Sequence, residues 1–450
     1  MEKKFLSKRT LRLSPAKIIA LGFVLIILLG ATLLSLPISN KDGRFLGFID
    51  ALFTATSATC VTGLVIADTY RQFTFLGQLV ILCLIQVGGL GFMTFAILIP
   101  LFLGRRIGLM ERRYLMEALG PLHIGGVVRL TKRILYGTLF FECLGAFLLA
   151  LRFVPRFGWS EGLWFSVFHS ISAFCNAGFD LMGIISPYSS LVHYYNDPLI
   201  CMTIMSLIVI GGIGFVVWED LAINKFNFSK YSLHSKVVLT TTSILIVVGT
   251  LLFLQLEWSS TMKDMPFGTK VLCSLFQSVT TRTAGFNTVD TAALSEGGNL
   301  LTNLLMIIGA APGSTGGGIK VSTMAVIVIT ILAQARSRED VDVYKRRLEQ
   351  DVIRRAFVST ALYISMALLV CLGISIFQDL AMKDIMFEAL SAIGTVGLST
   401  GITRELTIFS RLLIIILMYA GRVGSLTVFV AVAANKVNKL RFPTDKIIVG

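Results

Sequence analysis

The sequence predicts an all-α polytopic membrane protein made of four similar repeats around a central pore. Of its 450 residues, 55% are hydrophobic and only 15% are charged, with a mean hydropathy of +0.80. A soluble chain of this length would carry more charge, so this composition indicates a membrane protein. Long apolar segments alternate with short ones, and each short segment leads into a loop that contains glycine. This order recurs four times, which indicates internal repeats.

Eight apolar segments are long enough to cross a bilayer, which takes about 20 helical residues. They lie near residues 18–36, 76–103, 134–154, 199–223, 237–256, 300–332, 356–377 and 412–434. A basic stretch precedes the first segment, as in a signal peptide. That segment is longer than a typical signal-peptide core, and no small-residue cleavage pattern stands out before Pro37. We therefore interpret it as the first spanning helix.

Four further apolar segments are too short to span the bilayer and are typical of re-entrant helices. They lie near residues 49–60, 162–174, 271–281 and 385–393. Each leads into a loop with one aligned glycine, and these are Gly63, Gly178, Gly285 and Gly397. Six positions earlier the aligned residues are Ser57, Ser172, Val279 and Ser391. We predict a spanning helix, a pore helix with its loop, and a second spanning helix in each repeat.

The second long segment of a repeat carries a glycine signature. It reads Gly-Gly-Leu-Gly at 88–91, Gly-Gly-Ile-Gly at 211–214 and Gly-Arg-Val-Gly at 421–424. The third repeat departs from it, because residues 309–320 hold five glycines and Pro312. All four repeats run in the same direction. We therefore predict fourfold pseudosymmetry about an axis normal to the membrane, unlike the inverted repeats of many carriers.

The basic residues predict the orientation of the chain. Predicted cytoplasmic segments hold 27 of the 40 Lys and Arg residues, as the positive-inside rule requires. This distribution explains the net charge of +14 without nucleic acid. Both termini are then cytoplasmic and the glycine loops enter from outside. The predicted divisions are a basic N-terminus (1–17), repeats 18–103, 134–223, 237–335 and 356–435, cytoplasmic loops 104–133, 224–236 and 336–355, and a C-terminus (436–450).

The glycine loops suit a dehydrated cation. Rings of backbone carbonyls replace the water around an ion without adding fixed charge, and glycine permits the backbone angles that aim them at an axis. The C-terminal ends of four short helices would add partial negative charge. Glycine also allows close packing of membrane helices. Four glycines at the same place in four repeats favour the pore.

Other chemistry finds little support in the sequence. The seven cysteines form no Cys-x-x-Cys pair, and the four histidines are scattered. There is no Ser/His/Asp set, no His-Glu-x-x-His and no pair of carboxylates at helical spacing, so an enzyme is not predicted. No Walker A motif or dinucleotide fingerprint occurs, so we expect no nucleotide site on this chain. An alternating-access cation symporter is the second hypothesis.

With these motifs, together with Thr-Arg-Thr-Ala-Gly-Phe at 281–286, the sequence resembles the Ktr/Trk/HKT potassium transporter superfamily. Its nearest form is the pore-forming membrane subunit of bacterial Ktr systems, and the resemblance covers nearly the whole chain. It implies potassium uptake across the cell membrane through a channel-like pore. Glycine rather than serine at position 63 favours potassium over sodium in this family, and a sodium requirement stays open. The implied filter residues are Val61, Thr62, Gly63, Asn176, Ala177, Gly178, Thr283, Ala284, Gly285, Thr395, Val396 and Gly397.

The irregular part of the third repeat is the predicted gate. Pro312 and the glycines interrupt a helix that would otherwise run through 300–332, which gives either a kink or a cavity-lining loop. The resemblance implies an intramembrane gating loop. Its candidate residues are Gly309, Pro312, Gly313, Ser314, Thr315, Gly316, Gly317, Gly318 and Arg422. Arg422 would be either an anchor on carbonyls or, as we prefer, an electrostatic barrier. Lys320 is expected to reach towards the cytoplasmic interface.

Other charges in apolar segments need partners. We expect Arg282 to face away from the ion and to bind an acid, with Glu388 and Asp384 as candidates. Asp384 and Asp50 align at the starts of pore helices, where an acid suits the positive helix end. The sequence names no partner for Glu142.

The resemblance also implies partners. They are a second copy of this chain, with one pore in each, and a cytosolic ring of RCK-type nucleotide-binding subunits. The ring would dock on the basic cytoplasmic face, and ATP or ADP would act through it. Topology and attraction to anionic membrane lipids explain the basic segments 105–133 and 336–355 equally well.

Overall fold

The computed structural model describes residues 15–91, 127–225 and 227–424. In chain order its helices of ten or more residues are α1 (Pro15–Ser35), α2 (Phe48–Thr59), α3 (Phe75–Leu90), α4 (Val127–Phe157), α5 (Trp159–Phe174), α6 (Pro198–Gly212), α7 (Phe215–Asn224), α8 (Leu233–Leu256), α9 (Phe267–Thr280), α10 (Glu296–Ile307), α11 (Val321–Ala335), α12 (Gln350–Phe377), α13 (Met382–Gly394) and α14 (Ile408–Val423). A one-turn helix lies at Thr69–Gln72. Strands β1 (Asp342–Val343) and β2 (Arg346–Arg347) form an antiparallel hairpin within the predicted 336–355 loop.

Several predicted segments lie outside the described residues. They are the N-terminus up to residue 14, residues 92–103 of the first repeat, residues 104–126 of the first cytoplasmic loop, residues 425–435 of the fourth repeat and the C-terminus 436–450.

Four described helices, α1, α4, α8 and α12, are long and apolar enough to cross a membrane. Each opens a predicted repeat and packs on the short helix that follows it, namely α2, α5, α9 and α13. Each short helix buries at least one phenylalanine completely, and these include Phe53, Phe168, Phe276 and Phe387. The four short helices are therefore part of the buried core, and the chain is mostly helical with apolar helices long enough to span a membrane.

The predicted continuous second helices are wrong at the glycine signature. Helix α3 ends at Leu90, just before Gly91, and α14 ends at Val423, just before Gly424. The 199–223 segment breaks into α6 and α7 with a bend of 95°. The last glycine of each signature has a positive φ, +84° at Gly91, +93° at Gly214 and +95° at Gly424, which a helix does not allow. The described chain thus has four spans by length and composition, or five if the bent pair counts as one.

The third repeat breaks differently. Helix α10 ends at Ile307 and α11 begins at Val321, and a parallel bridge between Ile308 and Ile319 closes the base of the intervening stretch. Gly309 N–H donates to the Ile319 carbonyl at 2.8 Å. We call residues 309–318 the 309–318 segment. Because its base is closed, this segment is a loop with a defined tip rather than a kinked helix.

Candidate functional site

The structure brings the four aligned glycines into one ring, which we call the glycine ring. A Cβ added to Gly63 would lie 2.6 Å from the Ala177 carbonyl oxygen, and one added to Gly178 would lie 2.6 Å from that of Ala284. The series continues from Gly285 to the Val396 oxygen at 2.5 Å and closes from Gly397 to the Thr62 oxygen at 2.2 Å. Each loop thus contacts the next, and the fourth returns to the first. No side chain fits at these four positions.

The backbone of the four loops shares one unusual conformation. The glycines have φ of +95°, +69°, +81° and +92° in chain order. Two positions earlier stand Val61, Asn176, Thr283 and Thr395, whose φ values are +50°, +57°, +75° and +51°. Left-handed conformations cost non-glycine residues about 1 kcal/mol each and persist only where the surroundings fix them. In a β-strand successive carbonyls point to opposite sides. In these loops positive φ alternates with negative φ, which lets successive carbonyls point to the same side.

Hydrogen bonds to the pore helices hold the loops in place. The residues before three of the glycines, Thr62, Ala177 and Val396, donate their N–H groups at 2.8 Å to the carbonyls of Ser57, Ser172 and Ser391. The Ser57 and Ser391 hydroxyls accept from the N–H of Gly63 and Gly397 at 3.1 and 3.0 Å. In the third repeat Val279 has no hydroxyl. Thr280 supplies a hydroxyl instead and donates to the Phe286 carbonyl, as the Ser172 hydroxyl of the second repeat donates to the Phe179 carbonyl, a substitution that the alignment missed.

The predicted filter residues therefore lie together, and carbonyls of all four loops crowd one axis. The four short helices α2, α5, α9 and α13 end just before the ring, which places their partial negative charges beside it. Polar oxygens without fixed charge, arranged around an axis, can replace the water of a monovalent cation.

A cavity of about 310 Å³ opens on one side of the glycine ring and is lined by all four glycines. Asp68, Asp180 and Asp290 line it as well, opposed by Arg404. We call it the vestibule. Sequence reasoning missed these acids, although Asp68 and Asp290 each stand five residues after a ring glycine. Carboxylates in a concave mouth raise the local concentration of cations. Asp68 and Asp290 are the stronger contributors, because burial raises the pKa of Asp180 to about 7.

On the other side of the ring the 309–318 segment packs directly against the loops. A Cβ on Gly316 would lie 2.2 Å from the Thr283 hydroxyl oxygen, and one on Gly317 would lie 2.4 Å from that of Thr395. Gly317 N–H also donates to the Thr395 hydroxyl at 3.0 Å. The tip of the segment joins the α6–α7 bend, where Phe215 N–H donates to the Gly313 carbonyl at 2.8 Å. The segment thus contacts the third and fourth loops on the side of the ring away from the vestibule.

Arg422 holds the 309–318 segment against the first repeat. Its guanidinium donates to the Thr315 carbonyl and to the carbonyls of Gly88 and Gly89 at the end of α3. It therefore bonds to carbonyls, as the anchor hypothesis expects. One of these carbonyls, that of Thr315, belongs to the predicted gate. Lys320 differs from expectation. Its ammonium donates to the Gly316 carbonyl at 2.7 Å instead of extending to the interface, because the loop places that oxygen within reach.

The predicted partners of Arg282 are wrong. Arg282 is 8% exposed, its Nε has no hydrogen-bond partner, and within the described ranges it forms no ion pair. Glu388 is already bound in its own repeat, where it accepts from the hydroxyls of Ser399 and Thr403.

The remaining charges have partners that sequence could not supply. Asp50 lies in the first turn of α2, as expected for a helix-end acid, and also pairs with Arg411 of α14. The Glu142 carboxylate accepts from the Gln86 amide at 3.2 Å. Both pairs join segments that are distant in the chain.

Close packing of α6 on the second pore helix gives a first prediction. A Cβ on Gly211 would lie 2.0 Å from the Phe174 carbonyl oxygen. Gly211→Ala should therefore lower the free energy of unfolding by roughly 1–3 kcal/mol, the usual result of overpacking. Gly268→Ala is the control, because Gly268 is an exposed helix residue with nothing within 4 Å of an added Cβ. Melting in detergent, followed by size-exclusion chromatography, measures both. Equal melting temperatures would contradict the packing described.

Comparison with known proteins identifies the family. A profile described as "TrkH: Cation transport protein" matches residues 13–439. The chain belongs to this cation transport family. It is 42% identical over 441 residues to the "Ktr system potassium uptake protein B" of Bacillus subtilis (strain 168), covering 98% of this chain and 97% of that protein. It is 39% identical to the "Potassium/sodium uptake protein NtpJ" of Enterococcus hirae, covering 98% of both.

A solved structure agrees on the fold. The potassium transporter TrkH from Vibrio parahaemolyticus superposes with a TM-score of 0.73 at 19% identity, over 95% of this chain and 86% of that one. The resemblance drawn from the sequence motifs is confirmed. The chain is an integral membrane protein for ion transport and not an enzyme.

Proposed function

We propose that the chain carries potassium into the cell through the glycine ring, which acts as the selectivity filter. The closed circle of four loops supports this proposal most strongly, because each glycine meets the carbonyl before the next glycine. An alternating-access symporter would need a site that opens to either side in turn. The ring is instead built from four like loops that open on one vestibule. The full arrangement proposed is eight spanning segments, some broken, and four re-entrant loops.

The ion and the partners follow from the relatives. One relative is described as a potassium uptake protein of a Ktr system and another as a potassium/sodium uptake protein. We therefore propose potassium as the main transported ion and leave a dependence on sodium to measurement. A "system" implies a further subunit, and we propose an RCK-type nucleotide-binding ring on the cytoplasmic face. A homodimer with one pore per chain, cytoplasmic termini and a plasma membrane location complete the proposal.

Growth in low potassium tests the function. The chain, expressed with a cytosolic ring subunit in cells that lack potassium uptake, should restore growth. Rubidium uptake into liposomes should then follow the amount of inserted protein. Failure of both, with protein that is folded and inserted, would overturn the proposal. A dependence of uptake on external sodium would identify the second ion.

The 309–318 segment is proposed as the gate, and shortening its tip tests this role. Deletion of 313–315 removes the Thr315 carbonyl that Arg422 binds but keeps the Ile308–Ile319 bridge at the base. We expect faster rubidium uptake, because the obstruction below the ring is smaller. Deletion of 42–44, an outer turn where Gly43 has nothing within 4 Å of an added Cβ, is the control. Unchanged or slower uptake by a folded, inserted 313–315 deletion would contradict the gate.

A further inference from the structure

A second cavity, of about 500 Å³, lies away from the pore at the bend between α6 and α7. We call it the elbow cavity. Its walls come from three places: α4, the end of α6 with Ile213, and α7. The lining residues that the argument uses are Arg133, Tyr136, Ile210, Ile213, Trp218 and Ala222.

The lining suits a hydrocarbon chain. Apart from Arg133 and Glu219 and the hydroxyl of Tyr136, the residues that line the cavity offer apolar surface. The indole N–H of Trp218 is already used, since it donates to the Ile210 carbonyl at 3.0 Å. A polar solute would find few partners inside, whereas cavities of this size with apolar walls bind apolar groups. Tyr136 is 68% exposed on the outer surface of α4, so among the described residues the cavity opens on a face that a spanning helix would turn towards lipid.

The rim carries the charge that a lipid phosphate needs. Arg133 is 43% exposed and, in the described part of the chain, uses one nitrogen to bind Glu219 at 3.0 Å. The other guanidinium N–H groups remain for a second acceptor. Lys132 beside it is exposed. Guanidinium groups bind phosphate oxygens in pairs, and the cytoplasmic leaflet supplies anionic lipids on the side where the sequence places this rim.

We propose that the elbow cavity binds one acyl chain of an anionic phospholipid, with the lipid phosphate on Arg133. The site is coupled to the 309–318 segment through the bend. Gly212 carbonyl accepts from Ala311 N–H at 2.9 Å, and Phe215, which lines the cavity, donates to Gly313 at 2.8 Å. An acyl chain packed against Ile213 and Trp218 fixes the bend and hence the position of the segment. This effect on flux rests on the proposed function, whereas binding does not.

Trp218 reports binding without any transport assay. The chain has four tryptophans, and a variant with Trp159, Trp164 and Trp258 changed to Phe keeps only Trp218. Its fluorescence is measured in phosphatidylcholine vesicles with increasing fractions of brominated phosphatidylglycerol. Binding at a site predicts quenching that saturates at a low fraction. Quenching that only rises in proportion to the fraction, equal for brominated phosphatidylcholine, would overturn the proposal, as would no quenching because another segment fills the cavity.

Variants separate the two parts of the site. Ala222→Phe fills the cavity and should abolish the saturating component, whereas Leu251→Phe on the exposed face of α8 should leave it. Arg133→Gln should weaken the preference for phosphatidylglycerol about tenfold, the size of one charge-assisted hydrogen bond. Glu219→Gln removes the same ion pair but frees Arg133, and should keep the preference. Equal loss in both variants would show that the ion pair merely supports the fold and would overturn the phosphate contact.

Rubidium uptake tests the coupling separately. Wild type should respond to added phosphatidylglycerol, and Ala222→Phe should not. Saturating quenching together with rubidium uptake that does not change with added phosphatidylglycerol would support the lipid site but overturn its coupling to the 309–318 segment. Absence of flux in every lipid, with quenching intact, would overturn the proposed function alone.

Discussion

Replacement of Arg422 by alanine is expected to raise potassium flux about tenfold when no cytosolic partner is present, which corresponds to a shift of about 1.4 kcal/mol in the gate equilibrium. Its guanidinium joins Thr315 of the 309–318 segment to Gly88 and Gly89 of α3. Charge-assisted hydrogen bonds contribute roughly 1.5–3 kcal/mol each, so losing them releases the segment from one side. In the proposed pore, the same change also removes a positive charge from beside the cation path. Rubidium uptake into liposomes, normalised to inserted protein, measures the effect.

Three further variants sharpen this test. Arg422→Gln removes the charge and keeps some donors, whereas Arg422→Lys keeps the charge and loses the fork geometry. If the charge obstructs the cation, the flux through Arg422→Gln should match that of Arg422→Ala, and the flux through Arg422→Lys should match that of wild type. If the hydrogen bonds of Arg422 dominate, both variants should have a flux between those of wild type and Arg422→Ala. Arg152→Ala is the control, because Arg152 pairs with Asp197 at a site where its side chain is 53% exposed. Unchanged or lower flux in a folded Arg422→Ala variant would contradict the account.

Adding a side chain to the glycine ring is expected to remove ion preference or conduction altogether. In Gly397→Ala the Cβ would lie 2.2 Å from the Thr62 oxygen, and in Gly63→Ala 2.6 Å from that of Ala177. Each glycine also has a φ that L residues rarely adopt, +92° and +95°. The carbonyls must move, so the ratio of potassium to sodium flux should fall at least about tenfold, as expected when buried ligands shift.

The control for these variants is Gly43→Ala. Gly43 has a φ of +62°, which matches the backbone strain, but nothing lies within 4 Å of an added Cβ. Size-exclusion profiles establish that the ring variants still fold. Ring variants that fold and keep the wild-type preference would show that these positions do not contact the ion.

Sequence reasoning reached the site through repetition. Gly63, Gly178, Gly285 and Gly397 could be aligned because each follows a short apolar segment, and short apolar helices with a polar loop have few places in a membrane. The break in 199–223 was missed because an apolar run with glycines is also compatible with a continuous helix. What decides it is Gly214, whose φ of +93° does not fit a helix and whose added Cβ would lie 2.8 Å from the Pro312 carbonyl oxygen, a contact that only the packed structure contains.

Partners of charges were the weakest part of the prediction. Arg422 binds carbonyls that lie more than three hundred residues away in the chain, and Glu142 accepts from Gln86 on another helix. Such pairs depend on how the segments pack, and a sequence pattern does not show which distant segments come into contact. The vestibule acids were different, because Asp68 and Asp290 repeat at one spacing after a ring glycine and could have been found.

Anomalous scattering from rubidium is the most direct test of the glycine ring as a potassium filter. Crystals of the wild-type chain grown in rubidium should show an anomalous peak on the axis of the ring, among the carbonyls of residues such as Thr62 and Ala177. The peak should weaken when potassium competes and should be absent in folded Gly397→Ala. A ring without any peak, at rubidium concentrations that sustain uptake by the same protein, would contradict the account.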